Sequence, residues 1–186
     1  EDTPINPPFE LIIVMINPGG SKPITNAESN WGSFPSIHHG VDCKPDETQG
    51  QIVKLMNMKG WKKGVVLNLF DKCDVNSREI IDRYTQSESR KTYLTESIFH
   101  ESRRNELESI LKLTDKNAPI IIAWGAAKEL INIKKSIYNK VIEPTKRSIL
   151  GWKTKDFQFY HPWPREGDEI RNNWPSVIFE QLKNNL

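Results

Sequence analysis

The chain has 186 residues, 37% hydrophobic and 27% charged, with a formal net charge of +2, which suits one globular domain with a substantial core. No apolar run approaches the roughly 20 residues that span a bilayer, so no membrane partner is expected. The charge neither demands nor excludes nucleic acid: a protein that coats DNA is usually far more basic, whereas an enzyme gripping a few phosphates through loop amides need not be.

The first ten residues, EDTPINPPFE, lack the basic region and apolar core of a secretion signal. Cys43 and Cys73 are too few for a disulfide scaffold and lack metal-site spacing. A cytoplasmic, monomeric protein with reduced thiols is expected.

Leu11 to Ile16 is a run of six apolar residues, four of them Ile or Val. It reads as a strand buried on both faces, as in a parallel sheet. The run stops at Asn17-Pro18-Gly19-Gly20, where a polar amide is followed by a fixed turn and by two glycines that let backbone approach a ligand. Asn17 to Asp46 is rich in Gly, Pro, Ser and Asn, and reads as a long loop of the kind that is often functional. Gln49 to Lys59 reads as a helix ending at Gly60, and Gly64 to Phe70 as a second buried strand. Ser77 caps a short helix through Ile80 and Ile81, and the polar stretch Gln86 to Arg90 is expected to be exposed. Ile98 to Leu113 reads as a longer amphipathic helix. Pro119 to Trp124 is the third strand, and Gly125-Ala126-Ala127 opens the next helix. Phe157 to Tyr160 is the fourth strand, delivering His161 into the turn Pro162-Trp163-Pro164. Trp174 to Leu182 closes the chain as a helix.

This alternation predicts a single domain over residues 1–186, a three-layer α/β/α fold around a central, mainly parallel four-stranded sheet. In such sheets ligands bind outside the carboxyl ends of strands. Three of the four strands end in polar groups: Asn17, then Asn68 followed by Asp71, then His161. Those ends share one edge, so the groups can converge. The basic clusters Lys59, Lys62 and Lys63, Lys134 and Lys135, and Lys146 and Arg147 read as solvated faces. Adjacent His38 and His39 seldom point to one ion, and no carboxylate or Cys stands at an obvious partner spacing, so no metal is expected.

These strand ends carry a resemblance. INPGG, Ile16 to Gly20, looks like the first motif of the mismatch-specific branch of the uracil-DNA glycosylase superfamily. GVVLN, Gly64 to Asn68, is similar to the glycosylase strand whose terminal asparagine reads the target base. IIIAWGAAKEL, Ile120 to Leu130, resembles the superfamily's hydrophobic strand with its Trp-Gly and helix, and HPWPR, His161 to Arg165, resembles its His-Pro-Ser-Pro-Leu loop. The four motifs occur in the family order. The chain also resembles a bacterial and phage-borne domain family of unassigned function, sharing an Asn-Pro turn, an Asn-Leu-Phe strand, a Trp-Gly strand end and a late His-Pro.

The first resemblance implies hydrolysis of the N-glycosidic bond of a flipped, damaged, mismatched or modified base in DNA, with no cofactor or metal. Asn17 would position the attacking water, with Pro18, Gly19 and Gly20 close to the substrate. Asparagine is not a general base, and the uracil-specific branch has aspartate here, which favours a slow enzyme or a labile bond. His161 would donate to the leaving base, which a neutral imidazole can do provided its other nitrogen is held by an acceptor. Asn68 would read a base edge, and Asp71 would orient a site group or cap the following turn. The stacking aromatic would be Phe34 or Trp31, at an interval longer than the family's, so the loop Ser21 to Pro45 would admit a base larger than uracil. Pro162, Trp163, Pro164 and Arg165 would contact DNA, with Arg165 or Trp163 as the wedge. Two alternatives stand beside this: a catalytically inactive nucleic-acid-binding module of the same fold, and a hydrolase of free nucleosides or nucleotides.

Overall fold

The computed structural model describes residues 8–20, 22–23, 43–71, 77–85, 97–165 and 167–185. In chain order, β1 (Leu11–Met15) leads to β2 (Lys22–Pro23) and β3 (Cys43–Lys44), an antiparallel pair, then to α1 (Glu47–Lys59), β4 (Gly64–Asn68) and α2 (Ser77–Thr85). A 3-10 turn at Glu101–Arg103 precedes α3 (Arg104–Lys112) and β5 (Ile120–Ile122). α4 (Ile131–Ile137) continues into a π-turn at Tyr138–Ile142 and is followed by β6 (Ile149–Leu150), β7 (Lys153–Lys155), β8 (Gln158–Phe159) and α5 (Asp168–Asn184).

The central sheet has four parallel strands in the order β4-β1-β5-β6. Successive side chains of a strand point to opposite faces, and β1 divides accordingly. Leu11, Ile13 and Met15 pack with Ile52 and Leu55 of α1 and with Trp174, Ile178 and Leu182 of α5. Ile12, Val14 and Ile16 face the other layer, built on Ile80 of α2, Leu107 of α3 and Ile133 of α4. The fold is therefore three-layer α/β/α.

The fourth strand is not the expected one. Ile149–Leu150 pairs with β5, whereas Gln158–Phe159 leaves the sheet and forms an antiparallel hairpin with Lys153–Lys155. Gly151 is the reason. A Cβ there would lie 2.6 Å from Phe159 Cδ1 and 2.7 Å from the Ile122 carbonyl oxygen, so only a glycine lets the chain cross between hairpin and sheet. Its backbone is clamped by one amide: Gly151 N–H donates to Gln181 Oε1 at 3.1 Å, and Gln181 Nε2 donates to Gly151 O at 3.3 Å. The hairpin's aromatics then pack by edge, Phe159 on Trp124 with centroids 6.1 Å apart and Tyr160 on Trp152 at 5.2 Å. Trp124 Nε1 donates to the Phe157 carbonyl at 2.9 Å, so the tryptophan just past β5 is a buried tie to the hairpin.

Helix starts also shift. α1 begins at Glu47, set by a capping box in which Gln49 N–H donates to Asp46 Oδ1 at 2.9 Å and Asp46 N–H donates to Gln49 Oε1 at 3.2 Å. Ile98 lies in the turn before α3 and is buried there. α5 begins at Asp168 and carries Pro175 inside it. Proline removes the N–H that would bond the carbonyl of residue i−4, here Arg171, and Gln51 Nε2 of α1 donates to that carbonyl at 2.7 Å.

Gly151→Ala is expected to cost about 1–3 kcal/mol through overpacking against backbone that cannot yield. Urea or thermal denaturation measures it, and wild-type stability in that variant would contradict the crossing geometry.

Candidate functional site

A cleft of about 550 Å³ opens at the carboxyl edge of the sheet. Four stretches build its walls. The end of β1 brings Ile16, Asn17, Pro18, Gly19 and Gly20; the start of α1 brings Asp46 to Gln49; β4 brings Val66 and Asn68; and the segment after β5 brings Gly125 to Ala127. His161, Trp163, Pro164 and Arg165, which follow the hairpin, close the site.

Backbone pairing outruns β1 and β4: Leu69 N–H donates to Met15 O at 2.9 Å and Phe70 N–H to Ile16 O at 2.8 Å. Asn17 follows immediately and is 7% exposed. Gly19 turns the chain at φ 67°, and a Cβ on it would lie 3.0 Å from Asp46 Oδ2. The turn after Asn17 is thus brought against the carboxylate that caps α1. Asn68 pairs in register with Met15. Its Oδ1 is buried and has no hydrogen-bond partner among the described residues. Buried acceptors are normally paired, so this atom on the cleft wall is open to a donor that none of the described residues supplies.

His161 is held from several sides. The preceding residue, Tyr160, donates its N–H to Trp152 O at 2.8 Å and accepts from Trp174 Nε1 at 3.3 Å. Trp163 N–H donates to His161 Nδ1 at 3.2 Å. This reverses the expected arrangement: the second ring nitrogen meets a donor, so a neutral ring carries its hydrogen on Nε2. Burial holds the imidazole below its ordinary value of 6.5, and the charge of Asp46 works in the opposite direction.

Trp163 is 37% exposed, and its ring is backed by the Arg171 guanidinium, 5.2 Å from the centroid. Arg171 also donates to the carbonyls of Pro164, at 2.7 Å, and of Arg165, and pairs with Asp168 at 2.9 Å. Pro162 is buried and does not reach the cleft wall. Asp71 does not reach it either. It pairs with Arg103, whose guanidinium also takes Glu106 through two bonds of 2.8 Å, so Asp71 ties the end of β4 to the approach of α3. Trp31, Phe34, His38 and His39 lie outside the described residues.

In two of the basic clusters one member turns inward, Lys134 and Arg147, while Lys135 and Lys146 stay exposed. Lys134 is fully buried, and its Nζ donates to Gly125 O at 2.8 Å and Ala127 O at 3.2 Å. Burial lowers its pKa to about 8. It underpins the cleft wall that follows β5. Arg147 donates to the carbonyls of Asp115 and Ala118 and to Thr114 Oγ1, below β5. Sequence reasoning also missed Asp46 and Arg171. The pattern Asp46-x-x-Gln49 before an apolar run is a capping signal that would have fixed the first. Nothing local marks the second.

Among the described residues no group of three or more His, Cys, Asp or Glu side chains could hold a metal ion, and no helix is long and apolar enough to cross a membrane. Together these features define a three-layer α/β protein with an amide, an imidazole and a carboxylate around one strand-end cleft. The chain belongs to the family described as a protein of unknown function (DUF1643), whose model matches residues 35–163. This accords with the resemblance to a domain family of unassigned function. The matched span takes in Asp46, Asn68, His161 and Trp163 but begins after Asn17. No curated protein and no solved structure matches the chain, and nothing ties it to the uracil-DNA glycosylase superfamily.

The folded His161 ring binds its proton less tightly than the unfolded one, so its contribution to stability is present above 6.5 and is lost as pH falls through the lower folded value. Thermal denaturation from about pH 7 down to about pH 5 should show an acid-side loss that is smaller in His161→Gln. Ring nitrogen NMR at neutral pH should report the Nε2–H tautomer.

Proposed function

We propose that this chain is a glycosylase-like hydrolase that cleaves the N-glycosidic bond of an extruded damaged, mismatched or modified base in DNA. The observation that carries the reading is the single cleft shared by Asn17, Asn68 and His161 at the carboxyl edge of the sheet. Its volume, about 550 Å³, falls in the range of small-molecule sites.

A glycosidic bond inside a stacked duplex is out of reach, so the nucleotide rotates out, at a cost of a few kcal/mol. The C1′–N bond then breaks with its electron pair on the base. The neutral imidazole of His161 donates Nε2–H to the oxygen on which that charge gathers. Asn68 reads the base edge, its Oδ1 accepting an N–H. An unpaired buried acceptor costs about 1–3 kcal/mol, and a base with a donor in that position relieves it. Asn17 orients the water that adds to C1′. Trp163, stiffened by Arg171, and Arg165 meet the flanking nucleotides at the rim.

A second reading, a hydrolase of free nucleosides, is favoured by one observation: Asp46 and Glu47 stand on the cleft wall, where their charge repels phosphate. Salt separates the two, since phosphate contacts make affinity fall steeply with ionic strength.

The test is base release from single- and double-stranded oligonucleotides carrying uracil, mismatched thymine, deaminated purines or bulky modified cytosines, with free nucleosides alongside. Release from at least one oligonucleotide is expected, with His161→Ala and Asn17→Ala each lowering kcat by about 10²–10³. Release from nucleosides alone moves the assignment to the second reading, and release from neither set overturns both.

A further inference from the structure

Water adding to a sugar carbon must shed a proton, and an amide such as Asn17 can orient that water but has no basic atom to take the proton. We propose that Asp46 is the water-activating carboxylate of this cleft. The inference rests on the glycosidic-hydrolysis reading and adds the group that reading lacks.

Three observations converge on Asp46. It lines the same cleft as Asn17 and His161. Its two oxygens are differentiated: Oδ1 is committed to the Gln49 N–H at 2.9 Å, which fixes the side chain, whereas Oδ2 faces the turn after Asn17, 3.0 Å from where a Cβ on Gly19 would stand. The lack of a side chain at Gly19 is what lets the carboxylate come this close to the turn. The carboxylate also acts electrostatically on the His161 imidazole, which places the proton acceptor for the nucleophile and the proton donor for the leaving base around one substrate-sized space. The neighbouring Glu47 also lines the cleft but is exposed and belongs to the first turn of α1.

The step balances without any further reactant. The C1′–N bond breaks and its electron pair leaves with the base, stabilised by the hydrogen bond from His161. The oxygen of water bonds to C1′. The proton that oxygen loses passes to Asp46 Oδ2 and from there to solvent or to the departing base anion. One water is consumed, and the products are the free base and a sugar with a hydroxyl at C1′.

The experiment compares wild type, Asp46→Asn, Asp46→Ser and Glu47→Gln on whichever oligonucleotide or nucleoside of the panel above the wild type cleaves. Asn and Ser both serve as N-caps, so Tm should stay close to wild type in the two Asp46 variants. For both, kcat should fall by about 10²–10⁴ while KM is little changed. Added formate, a small external carboxylate, should restore part of the rate to Asp46→Ser. Cleavage by Asp46→Asn near the wild-type rate, or a loss confined to Glu47→Gln, overturns this inference and leaves the hydrolase reading standing. A wild type that cleaves nothing overturns both.

Discussion

β1 bonds to β4 along one edge and to β5 along the other, and every side chain from Leu11 to Met15 is buried. Each such side chain is worth about 1.5–3 kcal/mol when fully withdrawn from water, and their alternation assigns the two helical layers to the two faces. A strand pinned in this way cannot slide by one residue without exchanging its faces. The residues just past its end inherit that rigidity. Asn17 is therefore placed by the core itself, and the turn through Gly19 starts from that fixed point.

The opposite wall is fixed by different means. His161 follows a hairpin that is not part of the main sheet, and its position depends on side chains reaching backbone: Gln181 on Gly151, Trp124 on Phe157, Trp174 on Tyr160 and Arg171 on the Pro164 and Arg165 carbonyls. Lys134 does the same for Gly125 and Ala127. A buried ammonium is costly unless satisfied, and here it meets two carbonyls of the wall. The site thus combines one wall set by strand pairing with others set by side-chain-to-backbone bonds.

This difference decides what could be read in the sequence. The three apolar runs that became β1, β4 and β5 were legible because a strand buried on both faces is a continuous apolar run, and their polar ends were legible because strand ends carry sites in this fold class. The fourth strand was not, since Ile149–Leu150 is only two residues long while the aromatic alternation of Phe157 and Phe159 gave the stronger strand signal. Lys134 looked solvated because its partners are backbone carbonyls, which leave no trace in side-chain pattern. Asp71 sat at a strand end but was claimed by Arg103, a distant residue whose reach no spacing rule reveals. Asp46 was not legible from the strand ends because it stands in a helix cap, although the cap is what holds its carboxylate.

Pro175 gives the cleft a property of its own. The gap it leaves in the hydrogen-bond ladder of α5 exposes the Arg171 carbonyl, and Gln51 of α1 occupies it. Arg171 therefore faces two ways, gripping the neighbouring helix through its main chain and the Trp163 ring and its loop through its guanidinium. The vertical register between the two helices consequently sets the height at which the indole stands over the mouth of the site. A slip of one turn, about 5.4 Å, would carry the indole out of line with the opening, so an imino acid inside α5 acts as the gauge for the entrance.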